Sequence, residues 1–262
     1  MNLELNGHRV TVDDHHSEGD DVLLLVHGLG GTANFWAPVV AAYAPTHRVI
    51  VPDLPGAGRS APAPTCSIDS LARDLLALMD ALGVAAAHVA GHSMGSIVCQ
   101  HLAALAPMRV LDLVLLGPLA ELPDAARPAL EARAQTARSE GMEPIATVVC
   151  ERGLAAATKA RQPVVVGFVR EMVLRQPAEG YAAHCLALAT GRRAAPATVR
   201  CPTLLVSGIE DTTAPPASVE ALAAALPDAR VELLTDCGHW TAVEKPREVV
   251  DAMQRFHRRL RT

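Results

Sequence analysis

The chain has 262 residues, half of them hydrophobic but only 3% aromatic, and carries a formal net charge of -5. That length suits one α/β domain with an insertion and a large core. The acidic balance argues against nucleic acid or an anionic membrane as partner, since both need a concentrated basic face, and no apolar run approaches the ~20 residues of a membrane span.

The 6 cysteines form no C-x-x-C pair and no Cys/His cluster with zinc spacing, so no metal is expected. Scattered cysteines suit a reducing compartment, and the polar N-terminus lacks the apolar stretch of a signal peptide. A cytoplasmic protein is the expectation; the sequence sets no oligomeric state. With aromatics scarce, any apolar pocket should be walled by aliphatic side chains.

Residues 3–5 and 10–12 read as a hairpin turning at Asn6-Gly7. The continuous apolar run Val22–Val26 fits a strand buried on both faces of a parallel sheet, and residues 49–51, 86–90, 111–116, 203–207 and 231–234 repeat the pattern. Helical spacing separates these runs. Ile68, Leu71, Leu75, Leu78 and Leu82 share one face, with Gly83 placed as a C-cap. Ile97, Val98, Leu102 and Leu105 make a second helix ending before Pro107, and residues 216–226 a third.

A last helix opens at Pro246 with Val249, Met253, Phe256 and Leu260 on one face. Its basic end, with Arg255, Arg258 and Arg259, reads as a dipole-matched, solvated surface, and His257 among these arginines is expected to be solvated too. Strands alternating with helices imply βαβ units and a mostly parallel sheet. The alternation breaks over residues 119–196, which show helical patterning and several prolines. This stretch is expected to be a helical lid inserted into a core of residues 1–118 and 197–262. Within it VVVGFV at 164–169 is β-branched, yet the flanking REMVL pattern favours helix.

GHSMG at 91–95 has the form G-x-S-x-G, with an apolar strand running into it and a helical pattern leaving it. That strand–turn–helix context is what a nucleophile elbow requires. The tight turn strains the backbone at Ser93, glycines at 91 and 95 relieve crowding, and the helix start behind Ser93 favours negative charge. HGLGG at 27–31 is a Gly-rich loop after the strand Val22–Val26, with His27 read as a support for that loop.

GHSMG, HGLGG and the GHW at 238–240 together resemble the α/β-hydrolase superfamily, over nearly the whole chain. The resemblance implies an α/β fold with a mostly parallel central sheet, helices on both faces and a helical lid. It also implies an oxyanion hole made by the backbone N–H groups of Leu29 and Met94. The acid and base follow the nucleophile in chain order Ser, Asp or Glu, His. His239 fits the base because it follows the last strand on a loop freed by Gly238. His88, His92 and His101 read as structural or pocket-lining.

Asp211, just past the strand at 203–207, fits the acid; its neighbour Glu210 is the alternative. Asp53 in VPDLPGAGRS sits in a turn that is structural in the families it resembles. Glu244 is expected to pair locally at a surface-facing helix entry, and Cys237 to be a small packed side chain.

These parts amount to a serine hydrolase needing no metal or cofactor, whose partner is a small-molecule ester or lactone cleaved through an acyl-enzyme on Ser93. A serine rather than an aspartate at 93 argues against epoxide and haloalkane chemistry. Substrate contacts are expected from Gly28, His92, Phe168, Tyr181 and Trp240. The 180–189 segment and the runs through CPTLLVSGIEDTTAPP and GHW resemble 3-oxoadipate enol-lactonases, whereas HGLGG and DLPGAGRS look more like general esterases, C–C bond hydrolases and cofactor-free haloperoxidases. A carboxylate on the substrate would need a lid arginine, with Arg127, Arg133, Arg170 and Arg175 as candidates. Two other readings stand beside this one. The first is a C–C bond hydrolase or perhydrolase on the same triad. The second is a non-catalytic ligand-binding protein on the same scaffold.

Overall fold

The computed structural model describes residues 1–17, 19 and 21–260. The chain opens with β1 (Asn2–Leu5) and β2 (His8–His15), an antiparallel hairpin whose turn residues Asn6 and Gly7 both take positive φ, 50° and 85°. Such a turn matches the right-handed twist of the strands it joins. β3 (Val22–Val26), α1 (Ala37–Tyr43), β4 (Arg48–Pro52), α2 (Ile68–Ala81), β5 (Ala87–His92), α3 (Met94–Leu105) and β6 (Val110–Leu116) follow in alternation. Helix α2 starts at a reciprocal Ser67–Ser70 capping box and buries Ile68, Leu71, Leu75 and Leu78 against the sheet.

After β6 the alternation stops for a run of helices: α4 (Arg127–Glu140), α5 (Glu143–Gly153), α6 (Ala156–Arg161), α7 (Pro163–Leu174) and α8 (Ala178–Thr190). The β-branched VVVGFV run lies inside α7. Pro163 opens that helix, and Val169, Met172 and Val173 bury one helical face, so packing at 3.6-residue spacing outweighs β propensity. The sheet resumes with β7 (Thr203–Gly208), α9 (Pro216–Ala225), β8 (Ala229–Leu234), the short α10 (Thr241–Glu244) and α11 (Pro246–Leu260).

The strands form one sheet of order β1-β2-β4-β3-β5-β6-β7-β8, antiparallel at the β1-β2 and β2-β4 pairs and parallel across the sheet from β4 onward. Strands β3, β5 and β6 are almost entirely buried, as a sheet covered on both faces demands. Their C-terminal ends all point to one edge, where loops are free to carry chemistry.

Two surface expectations for the C-terminal region do not hold. His257 is buried, not solvated. Helix α11 packs so closely that this ring sits under the sheet, with Nε2 3.3 Å from Asp112 Oδ1 on β6 and Nδ1 3.0 Å from the Tyr43 hydroxyl. His88 on β5 approaches the other Asp112 oxygen at 2.5 Å. Burial works to raise the Asp112 pKa, but hydrogen bonding and charge from both histidines outweigh it and hold the carboxyl below its ordinary range. Leu260, at the end of the same helix, lies 41% exposed, off the buried stripe of Val249, Met253 and Phe256.

Candidate active site

Ser93 lies between β5 and α3 with φ 52° and ψ -120°, a strained conformation for a residue with a side chain. Its N–H donates to Leu116 O at 2.9 Å, and Ser96 donates its hydroxyl to Ser93 O at 2.5 Å, so the turn is held from both sides. Gly95 is required by proximity: a Cβ there would lie 2.5 Å from the carbonyl oxygens of Val26 and His27. The helix α3 therefore starts directly against β3.

The Ser93 hydroxyl donates to His239 Nε2 at 2.8 Å, and His239 Nδ1 donates to Asp211 Oδ2 at 2.8 Å. All three residues are buried. The other Asp211 oxygen accepts the N–H groups of Thr213 and Ala214, each at 2.8 Å. Burial pushes the Asp211 pKa up, but the charge and hydrogen bond of His239 and these two amides more than offset it, leaving an ionised acid. Glu210, the alternative acid, is exposed and points away, accepting the Ala156 N–H at 2.8 Å.

The loop after β3 passes beside Ser93 at backbone distance. A Cβ on Gly28 would lie 2.8 Å from Ser93 Cβ and 2.7 Å from His92 O, so only glycine fits. Among the described residues the N–H groups of Leu29 and Met94 have no protein acceptor. They are the two amides that the elbow geometry would aim at an oxyanion. His27 braces this loop: Nδ1 donates to Gly28 O at 2.9 Å and Nε2 accepts the Leu54 N–H at 2.9 Å. Burial lowers its pKa, with Asp53 opposing, and its two hydrogen bonds fit a neutral ring. Asp53 itself accepts the N–H of Ala33 at 2.7 Å and the N–H and Nε of Arg59 at 3.0 and 2.7 Å, the wiring of a structural turn.

A cavity of about 340 Å³ opens over Ser93 and His239. Leu119, Leu122, Leu130, Val148, Val149 and Leu188 make its wall largely aliphatic, as the scarcity of aromatics led us to expect. Tyr181 and Trp240 line it. Gly28, His92 and Phe168 do not. Gly28 is packed against Ser93 and reaches no open space. His92 lies beneath the site, stacked on Phe35 with centroids 4.2 Å apart, and donates Nε2–H to His239 O at 2.9 Å. Phe168 is one residue, and so about 100° of helical rotation, away from the buried Val169 and packs on the aliphatic core instead.

Of the four arginines singled out, Arg127 pairs with Glu121 and Asp124, Arg170 with Glu143, and Arg175 with Glu171. Arg133 alone has no carboxylate partner among the described residues, and it faces the cavity beside Tyr181. Arg152, which the sequence did not single out, lines the same space.

Glu244 also departs from expectation. It is buried, not surface-facing, and accepts N–H groups from Gly238, Trp240 and Ala155. The sequence holds a signal for it: an acid in the first turn of a helix can reach back to amides at the helix start. Cys237 is packed and fully buried, and burial pushes its thiol pKa far up, which makes it inert.

The sequence profile of the α/β hydrolase fold matches residues 21–246. The chain is 32% identical to a protein named as a carbamate hydrolase, RutD, from Azorhizobium caulinodans, over 226 residues covering 82% of this chain and 83% of that one. It is 29% identical to 3-oxoadipate enol-lactonase 2 of Acinetobacter baylyi, covering 90% and 88% of the two chains. Among solved structures, a thermophilic esterase from Thermogutta terrifontis superposes with a TM-score of 0.93 at 29% identity, covering 100% and 99%. On the family match, the fold and the relatives together, the chain belongs to the α/β-hydrolase family and is a hydrolytic enzyme of that fold.

Proposed function

We propose that this enzyme is a serine hydrolase that cleaves a small, mainly aliphatic carboxylic ester or lactone through an acyl-enzyme on Ser93. The observation that carries this reading is the unbroken chain from Ser93 Oγ to His239 Nε2 and from His239 Nδ1 to Asp211, both links 2.8 Å long. His239 takes the hydroxyl proton as Ser93 Oγ attacks the substrate carbonyl carbon. The N–H groups of Leu29 and Met94 hold the resulting oxyanion. Collapse expels the alkoxide, which His239 protonates; His239 then deprotonates water, which attacks the acyl carbonyl and frees Ser93. Asp211, ionised throughout, keeps the imidazole in the tautomer with Nδ1–H and stabilises its protonated form.

The helical segment between β6 and β7 acts as a lid and supplies most of the cavity wall. Arg133, which faces that cavity and pairs with no carboxylate among the described residues, favours a substrate that carries a carboxylate away from the scissile bond. The relatives point the same way, since one is named an enol-lactonase and the T. terrifontis esterase is described with malate bound.

The test labels the protein with a fluorophosphonate probe and compares hydrolysis of aliphatic esters, small lactones, carbamates and β-diketones by wild type and Ser93→Ala. Labelling at Ser93 and loss of ester and lactone turnover in the variant are expected. Turnover of β-diketones alone would replace ester cleavage with C–C bond cleavage. Arg133→Ala should erase any preference for a lactone acid over its methyl ester while leaving turnover of the neutral ester.

A further inference from the structure

The loop that carries His239 is bracketed by an acid with no chemistry of its own. Oε1 of Glu244 accepts the N–H groups of Gly238 at 3.1 Å and Trp240 at 3.0 Å, the residues on either side of His239. Oε2 accepts the Ala155 N–H at 2.8 Å and the Thr158 hydroxyl at 2.7 Å, both in the helical segment between β6 and β7. Glu244 and Thr158 are 2% and 0% exposed. The same stretch meets the loop again where Gly153 O accepts the His239 N–H at 2.8 Å. The fit leaves no slack: a Cβ on Gly238 would lie 2.6 Å from Gly153 O and 2.7 Å from Ala155 N.

Donors converge on both oxygens, two on each, so the site needs an acceptor at both positions. Only a carboxylate supplies that. A glutamine of the same shape would turn an NH₂ group toward one donor pair, leaving buried N–H groups without acceptors at substantial cost.

We propose that Glu244 is a positioning residue for the base: it clamps the backbone on both sides of His239 to the 155–158 turn, so that the reach of the imidazole to Ser93 depends on how the lid is docked. This rests on the reading of Ser93, Asp211 and His239 as the triad. Glu210 adds a parallel tie, accepting the Ala156 N–H from the same turn at 2.8 Å and so joining it to the loop of Asp211. A shift of the 155–158 turn therefore reaches the base and the acid loops together, whereas Glu244 is not part of the cavity wall that holds substrate.

The test uses the full chain and p-nitrophenyl butyrate, comparing wild type with Glu244→Gln, Thr158→Val and Ser93→Ala. Activities are expressed per folded molecule, from circular dichroism well below the unfolding temperature. Glu244→Gln should lower kcat about 10²-fold, the scale of a small misplacement of a reacting group, while KM changes by less than about threefold. Thr158→Val removes one lid donor and leaves the loop amides bound; a loss of about threefold or more in kcat is expected, and it carries the test alone if Glu244→Gln does not fold. The downfield proton resonance of the His239–Asp211 hydrogen bond should shift or broaden in both variants, which a purely structural role would not produce. Full kcat per folded molecule with an unchanged resonance overturns the positioning role. Full activity in Ser93→Ala overturns the triad reading instead.

Discussion

His92 lies directly beneath His239 and donates its Nε2–H to the His239 carbonyl oxygen at 2.9 Å, the two rings tilted at 46° with centroids 5.0 Å apart. Two imidazoles so close would repel each other if both were charged. Burial, and then the charge of His239, push the His92 pKa down to about 3, and burial holds His184 at about 4. Both rings thus stay neutral near neutral pH, and in the proposed chemistry the ring facing Ser93 is the one that carries a proton.

It follows that in a ¹H–¹⁵N NMR titration between about pH 5 and 8, the interval in which an ordinary histidine titrates, the ring resonances of His92 and His184 should not move. Titration of His92 inside that window would mean that the base is opposed by a charged neighbour, and the assignment of a neutral support would fail.

The proposed acid, Asp211, faces His239, whereas Glu210 faces the Ala156 N–H. Asp211→Asn should lower kcat by about 10⁴-fold with the fold retained, because an amide favours the wrong imidazole tautomer. Glu210→Gln keeps an oxygen for the Ala156 N–H and should be mild. Steady-state kinetics on the two variants decide the matter, and the reverse ranking would move the acid to Glu210.

The close passage of the β3 loop gives a third expectation. Gly28→Ala places a Cβ against Ser93 and His92 O and must displace the loop that carries the Leu29 amide. Loss of one oxyanion donor costs about 10²–10³-fold in kcat. Gly167→Ala, in α7 with nothing within 4 Å of the added carbon, is the matched control and should stabilise slightly through helix propensity. Equal kcat in the two variants would remove the loop from the chemistry.

At the other end of the sheet, Asp112 between His88 and His257 ties α11 to β5 and β6. Its folded pKa is lowered, so the stability it contributes is present above its unfolded value of about 4 and is lost as pH falls through the folded one. Asp112→Asn should destabilise by about 3–5 kcal/mol at neutral pH, the scale for breaking a buried pair. That difference should shrink on acidification below about pH 4, as followed by urea unfolding. A pH-independent difference would show that Asp112 acts by packing rather than charge.

The strands, the elbow and the order of Ser93, Asp211 and His239 were legible because each leaves a local mark: an apolar run, a glycine pair, a loop after a strand. What was not legible depends on where distant elements meet. His257 looks solvated among arginines until α11 is seen to lay that ring against β6. Glu244 looks like a surface acid until the 155–158 turn arrives with its own donors. Phe168 is aromatic and in the right segment, yet it lies partly buried against aliphatic side chains and does not line the cavity. Arg133 differs from Arg127, Arg170 and Arg175 in facing the cavity and in having no carboxylate partner among the described residues, neither of which spacing along the chain encodes.

The proposed chemistry turns on a covalent bond at Ser93. The direct measurement mixes enzyme with p-nitrophenyl butyrate, quenches in acid within the first turnovers and maps the peptides by mass spectrometry. A butyryl group on Ser93, formed in a p-nitrophenol burst that matches the enzyme concentration and absent from Ser93→Ala, is the predicted result. Steady hydrolysis with no burst and no adduct at Ser93 in wild type, or with an adduct on another residue, would contradict it.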